Sequence, residues 1–130
     1  MSALATLEAL RSSGALVLLD SGTPLIRRAR AVPAALLEQA RAEKVEIADL
    51  LRAELAPLLA ELEALADRWD RGVRWLEHGG DPDLAYRRFS ELADQAGALV
   101  EKIEALAPGA SHGLLDRLWA ADDALLEAAA

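Results

Sequence analysis

Two histidines, His78 and His112, are the first residues to test for chemistry. Each falls in a glycine-bearing stretch expected to be a loop, and the two are far apart in the chain. His78 with Glu77, Asp81 and Asp83 forms a donor set of the kind that holds a divalent cation. Carboxylates beside a glycine turn more commonly cap the helix that follows, so no metal and no cofactor is assigned. The chain has no Cys, which removes thiolate nucleophiles, disulfides and Cys-based zinc sites. No Ser stands in a G-x-S-x-G setting, and no glycine-rich phosphate loop opens a helix. Carboxylate pairs such as Glu61 with Glu63 and Asp122 with Asp123 read as solvated helix faces. No catalytic residue is assigned, and the expectation is a protein that is not an enzyme.

The remaining candidates are cations and aromatics. Arg27, Arg28 and Arg30 fall in Leu25 to Ala31, predicted as the second strand of a hairpin after the apolar run Ala15 to Leu19 and the turn Asp20-Ser21-Gly22-Thr23. Alternation puts Leu25, Arg27, Ala29 and Ala31 on one side, and Ile26, Arg28 and Arg30 on the other. Neither side is fully apolar, so the strand is expected at an edge with one face in water. Arginines there have two readings. They block edge-to-edge aggregation, or they dock an acidic peptide that adds as a further strand, with Leu25, Ile26, Arg27, Arg28 and Arg30 as the binding set. Of the three tryptophans, Trp69 continues an apolar seam and reads as core. Trp75 and Trp119 are less constrained, and each is either packing or a hot spot for a partner.

The elements that must position these residues are mostly helical. Hydrophobic residues make up 53% of the chain. They are chiefly Leu and Ala, which favour helix over an all-β fold. Leu4, Leu7 and Leu10 mark a short first helix ended by Ser12-Ser13-Gly14, with Gly14 suited to a position of positive φ. Val32-Pro33 opens the next helix. Glu43-Lys44-Val45 is either a break or a continuation. Leu51, Leu55, Leu58, Leu62, Leu65 and Trp69 then follow alternating steps of four and three, a heptad seam. Pro57 lies within it, so a kink or a fresh helix start is expected there. Asp81-Pro82 is an N-cap followed by proline at the first helical position. It opens a second seam of Ala85, Phe89, Leu92, Ala96, Leu99, Ile103 and Leu106. Leu114, Leu115, Leu118, Trp119, Leu125 and Leu126 mark a last amphipathic helix, with frayed alanines at the end.

The expected fold is therefore α+β and mostly α. A helix, β-hairpin and helix head (1–56) precedes an antiparallel helical hairpin (57–107) and a C-terminal helix (108–130). The net charge is −8. Residues before Ala66 carry seven basic and nine acidic side chains, and those from Ala66 onward carry seven and thirteen. Such acidity disfavours duplex nucleic acid and anionic membrane as partners. The apolar run Ala15 to Leu19 is too short for a signal peptide or a span, and no basic segment precedes it, so a cytoplasmic location is expected. Twelve arginines against two lysines, with the excess of Ala, fit a G+C-rich bacterial genome.

From Leu4 to Leu51 the pattern resembles the small N-terminal docking domains of the TubC type, which begin some subunits of nonribosomal peptide and hybrid polyketide synthetases. The matching residues are Leu7 and Leu10, then Gly14, the Asp20-Ser21-Gly22 turn and Leu25. Pro33 with Leu36-Leu37, Arg41 with Lys44, and Glu46 with Leu50-Leu51 follow. The resemblance implies a helix, a hairpin and two helices that recognise a short charged motif along the exposed hairpin strand, here Leu25 to Ala31. It implies a protein partner carrying an acidic segment. The resemblance stops at about residue 55, where a helical hairpin stands in place of a synthetase. Two other functions fit the residues. An acidic phage or plasmid accessory protein would cover the basic surface of a nucleic-acid enzyme through the helices from Asp67 onward. A structural helical oligomer, a homodimer in the simplest case, would pair the heptad seams between chains.

Overall fold

A computed structural model of the chain describes the backbone of residues 2–129 and the side chains of residues 2–120. Leu125, Leu126, Asp122, Asp123 and Ala130 of the sequence reading lie outside the described side chains. The order is α1 (Ala3–Ser12), β1 (Leu16–Asp20), β2 (Thr23–Arg27), a 3-10 turn (Ala29–Ala31), α2 (Ala34–Ala42), α3 (Lys44–Glu77), α4 (Pro82–Leu106) and α5 (His112–Ala129). This is the α+β, mostly helical fold expected from the residues. The chain forms two compact units. The first runs to Pro57 and takes in Ala105–Pro108. The second holds Leu58–Glu104 and the residues from Gly109 onward.

In the first unit, the Ser2 hydroxyl accepts from Ala5 N–H at 3.2 Å and starts α1. At its other end Gly14 has φ of +85°. Gly14 N–H donates to the Arg11 carbonyl, and Ala15 N–H to the Leu10 carbonyl at 3.1 Å. This pair of bonds is a Schellman cap, which needs the left-handed residue glycine supplies. The hairpin turn is equally local. Ser21 and Gly22 have φ of 52° and 83°, the type I′ signature that matches the twist of two antiparallel strands. Pairing runs from Asp20 opposite Thr23 to Leu16 opposite Arg27.

Here the second strand departs from the expected Leu25 to Ala31. It starts two residues earlier, because a two-residue turn lets Thr23 pair at once. It also stops at Arg27. The next bonded pair would be Gly14 with Ala29, but the Gly14 N–H is already given to the Arg11 carbonyl in the α1 cap. Arg28 turns into the left-handed region, φ 58° and ψ 44°, and Ala29–Ala31 wind into a 3-10 turn. Leu25 and Arg27 do share one face, and Pro24 and Ile26 the other. Arg28, Ala29, Arg30 and Ala31 have no strand face.

Glu43 settles the next ambiguity: it is the C-cap of α2, with φ of −106°, and α3 begins at Lys44. Its carboxylate accepts from the buried Thr6 hydroxyl at 2.6 Å and from Gln39 Nε2 at 2.6 Å. One side chain thus ties α1 to the α2–α3 corner. These donors, Thr6 foremost, hold the Glu43 carboxyl below the usual range. A second tie joins α1 to α3, where Arg11 grips Glu54 through two bonds of 2.7 Å. Arg52 Nη2 donates to the Gly22 carbonyl at 2.9 Å and fastens the hairpin turn to α3. Leu7, Leu10, Val17, Leu19, Ala40, Ile47 and Leu51 are buried in this unit.

No fresh helix starts at Pro57, which lies inside α3. In the second unit Leu62, Leu65 and Trp69 of the first seam are buried, as are Ala85, Phe89, Leu92, Ala96 and Ile103 of the second. The Trp69 and Phe89 rings meet at 5.2 Å between centroids, tilted by 44°, so the two seams face each other. Asp81 caps α4 through the Asp83 N–H at 3.0 Å. The α4–α5 corner is held by Glu104, which accepts from Gly109 N–H at 2.6 Å and from the buried Ser111 hydroxyl at 3.0 Å. Arg117 of α5 donates to both Asp67 and Asp70 of α3.

Two stability predictions follow from the first unit. Ser21→Asn relieves the left-handed strain and raises stability by about 0.5–1 kcal/mol in urea titrations. The depressed Glu43 carboxyl contributes stability above its unfolded pKa, which is lost as pH falls through the lower folded value. Thr6→Val therefore destabilises near neutral pH and shows a smaller loss toward pH 3, read as converging urea midpoints of the two proteins.

Candidate partner-binding surface

The surface begins with what the hairpin leaves unpaired. In a two-residue hairpin the closing pair, Asp20 and Thr23, exchanges both backbone bonds, and bonded pairs then alternate with open ones. Leu19 with Pro24 and Val17 with Ile26 are the open pairs, whose backbone groups point away from the partner strand. On the outer edge of β2 the open groups are the Pro24 carbonyl and the N–H and carbonyl of Ile26. Pro24 has no N–H to offer and sits where a proline costs the hairpin nothing. As a member of an open pair Ile26 N–H faces away from β1, and among the described residues no turn, loop or cap bond takes it.

The arginines stand at the exit of this edge. Arg27 closes the strand, Arg28 leaves it in the left-handed conformation and Arg30 lies in the 3-10 turn. All three are exposed. None enters a side-chain hydrogen bond or ion pair among the described residues, whereas Arg11, Arg41, Arg52 and Arg117 are all paired. Three unpaired cations lie within four residues of a chain that carries net −8. Leu25 is half-buried on the Arg27 face, beside Leu16, which is 45% exposed. Ile26 lies on the opposite face and lines a small notch of about 120 Å³ with Val17, Pro24, Arg41, Lys44 and Ile47. The five predicted residues are therefore brought to one corner, but as a short edge followed by a turned-out basic knuckle.

The tryptophans separate. Trp69 is buried, and its indole nitrogen has no hydrogen-bond partner among the described residues. Trp75 on α3 is 43% exposed and Trp119 on α5 is 67% exposed. The histidine set does not converge on a metal. His78 Nδ1 pairs with the Arg74 carbonyl at 2.7 Å, Asp81 is spent on its cap, and His112 Nε2 lies 3.3 Å from Glu104. Among the described residues no three His, Cys, Asp or Glu side chains are grouped to hold a metal ion. No helix there is long and apolar enough to cross a membrane.

Sequence reasoning missed three features of the site. The end of β2 depends on the cap of α1, a long-range effect. The left-handed Arg28 had no glycine to announce it. The open Ile26 N–H follows from the I′ turn, whose Ser21-Gly22 pair was a usable signal. Comparison of the chain with protein-family models, with curated proteins and with solved structures gives no match in any of the three.

Proposed function

We propose that this chain is a non-enzymatic interaction module whose head, resembling TubC-type docking domains, takes an acidic segment of a partner protein along the outer edge of β2. The observation that carries the reading is the run of unpaired, exposed arginines directly after an edge strand with open backbone groups. Ile26 supplies one donor and one acceptor, and the Pro24 carbonyl a second acceptor. So few backbone bonds give register but little affinity. The three guanidiniums supply selectivity, since each forms paired, charge-assisted bonds to a carboxylate. Strain at Arg28 fits this use: a non-glycine residue held in the left-handed region is a feature that clusters at binding sites.

The test uses fluorescent peptides of alternating acidic and β-branched residues, with basic and neutral versions as controls. The full chain is expected to bind the acidic peptide, with affinity falling as salt rises. Arg27→Glu with Arg28→Glu and Arg30→Glu lowers affinity by at least about a hundredfold while the circular dichroism spectrum is kept. Ile26→Pro removes an N–H that points out of the hairpin, so it weakens binding while the strand pairing survives. Unchanged anisotropy titrations for the triple variant would falsify the reading.

A further inference from the structure

A second group of unpaired arginines lies in the other unit. Between α3 and α4 is a cavity of about 390 Å³, within the range of small-molecule sites. Arg68 and Arg71 of α3 and Arg88 of α4 line it, and the one carboxylate on its wall is Glu91. None of the three arginines has an ion-pair partner among the described residues. That is notable in a unit whose residues 58–104 and 109–130 carry seven Lys and Arg against fifteen Asp and Glu. The floor is aromatic. A Cβ on Gly72 would lie 2.7 Å from Phe89 Cζ, so the Phe89 ring rests on the bare backbone of α3. A Cβ on Gly80 would lie 2.4 Å from Trp75 Cδ2, so the indole lies against the Gly80 backbone. Trp75 also lines the cavity and keeps 43% of its surface exposed. A ring held against glycine and still partly exposed can serve as a stacking platform.

We infer that this cavity binds a small aromatic carboxylate, its ring stacked on Trp75 over Phe89 and its carboxylate held by the arginines. Positive charge collected in an acidic unit selects an anion. Guanidinium is the side chain best matched to a carboxylate by geometry. The apolar floor selects a ring rather than a bare ion. A multiply charged nucleotide fits less well, because its phosphates would meet Glu91. The inference does not depend on the docking reading, which concerns the other unit.

The experiment titrates the full chain with naphthoate, its uncharged amide naphthamide, and AMP, by calorimetry and tryptophan fluorescence. Naphthoate is expected to saturate with Kd of about 1 mM or tighter. The amide, and naphthoate against Arg71→Ala or Arg88→Ala, are each expected to bind about tenfold more weakly. Trp75→Ala weakens naphthoate as well. If that variant misfolds, the two exposed arginines still decide. The variant with Glu at positions 27, 28 and 30 should bind naphthoate like the parent. Equal affinity for acid and amide, arginine variants that bind as the parent does, a preference for AMP, or no saturation would each overturn the inference.

Discussion

The bond from Gly14 N–H to the Arg11 carbonyl sets the geometry of the head. It closes the cap of α1 and also keeps the Gly14 N–H from bonding across the hairpin to Ala29, the next bonded pair beyond Leu16 and Arg27. With Gly14 committed, the ladder ends at Leu16 and Arg27 after the five pairs that the I′ turn sets in register. The chain beyond Arg27 then has no neighbour to pair with. It turns sharply, and a left-handed Arg28 costs about 1–2 kcal/mol relative to an ordinary conformation. That cost persists because both sides of the turn are fixed. The strand is locked by register, and Val32 is buried with its N–H bound to the Ala29 carbonyl. A basic knuckle at this corner is thus a consequence of where the first helix is capped.

What the residues disclosed follows from how local each signal is. Gly14, the Ser21-Gly22 turn, Asp81-Pro82 and the two seams act over a few residues, and each appears where its spacing put it. The break at Glu43 stayed open because both outcomes satisfy the local pattern. Thr6, 37 residues away, decides it by donating to the Glu43 carboxylate. Pro57 is a strong local signal for interruption, yet α3 continues through it. A proline removes one hydrogen bond and crowds one carbonyl, and the buried residues that anchor α3 on either side, Leu51 and Leu62, lie more than a turn away from it. The strand end was illegible for the opposite reason. Nothing in Leu25 to Ala31 says stop, and the limit comes from the other strand.

Charge tells a similar story at larger scale. Residues 2–57 hold seven basic and seven acidic side chains, so the whole net charge of −8 resides in the second unit. Net charge alone pointed to an acidic surface and to a basic partner. The distribution of unpaired cations points the other way. In the first unit, arginines with a structural task have carboxylates or carbonyls: Arg11 has Glu54, and Arg52 has Asp49 and Gly22. The knuckle arginines have none among the described residues, although acidic side chains are plentiful in the sequence.

The same separation holds in the second unit, and it bears on how such surfaces persist. Arg117 is spent on Asp67 and Asp70, fixing α5 to α3. Arg68, one residue from Asp67, faces the cavity instead. A helix places neighbours in sequence about 100° apart, so one turn of α3 presents an acid to α5 and a base to the cavity. That division explains how a strongly acidic helix bundle keeps a basic recess without the two charges cancelling. It also explains why composition hid the recess: counted along the chain the arginines are outnumbered, but sorted by helix face they are gathered. Trp75 belongs to this face as well, and its indole occupies the space a side chain at position 80 would fill, so Gly80 is what admits it.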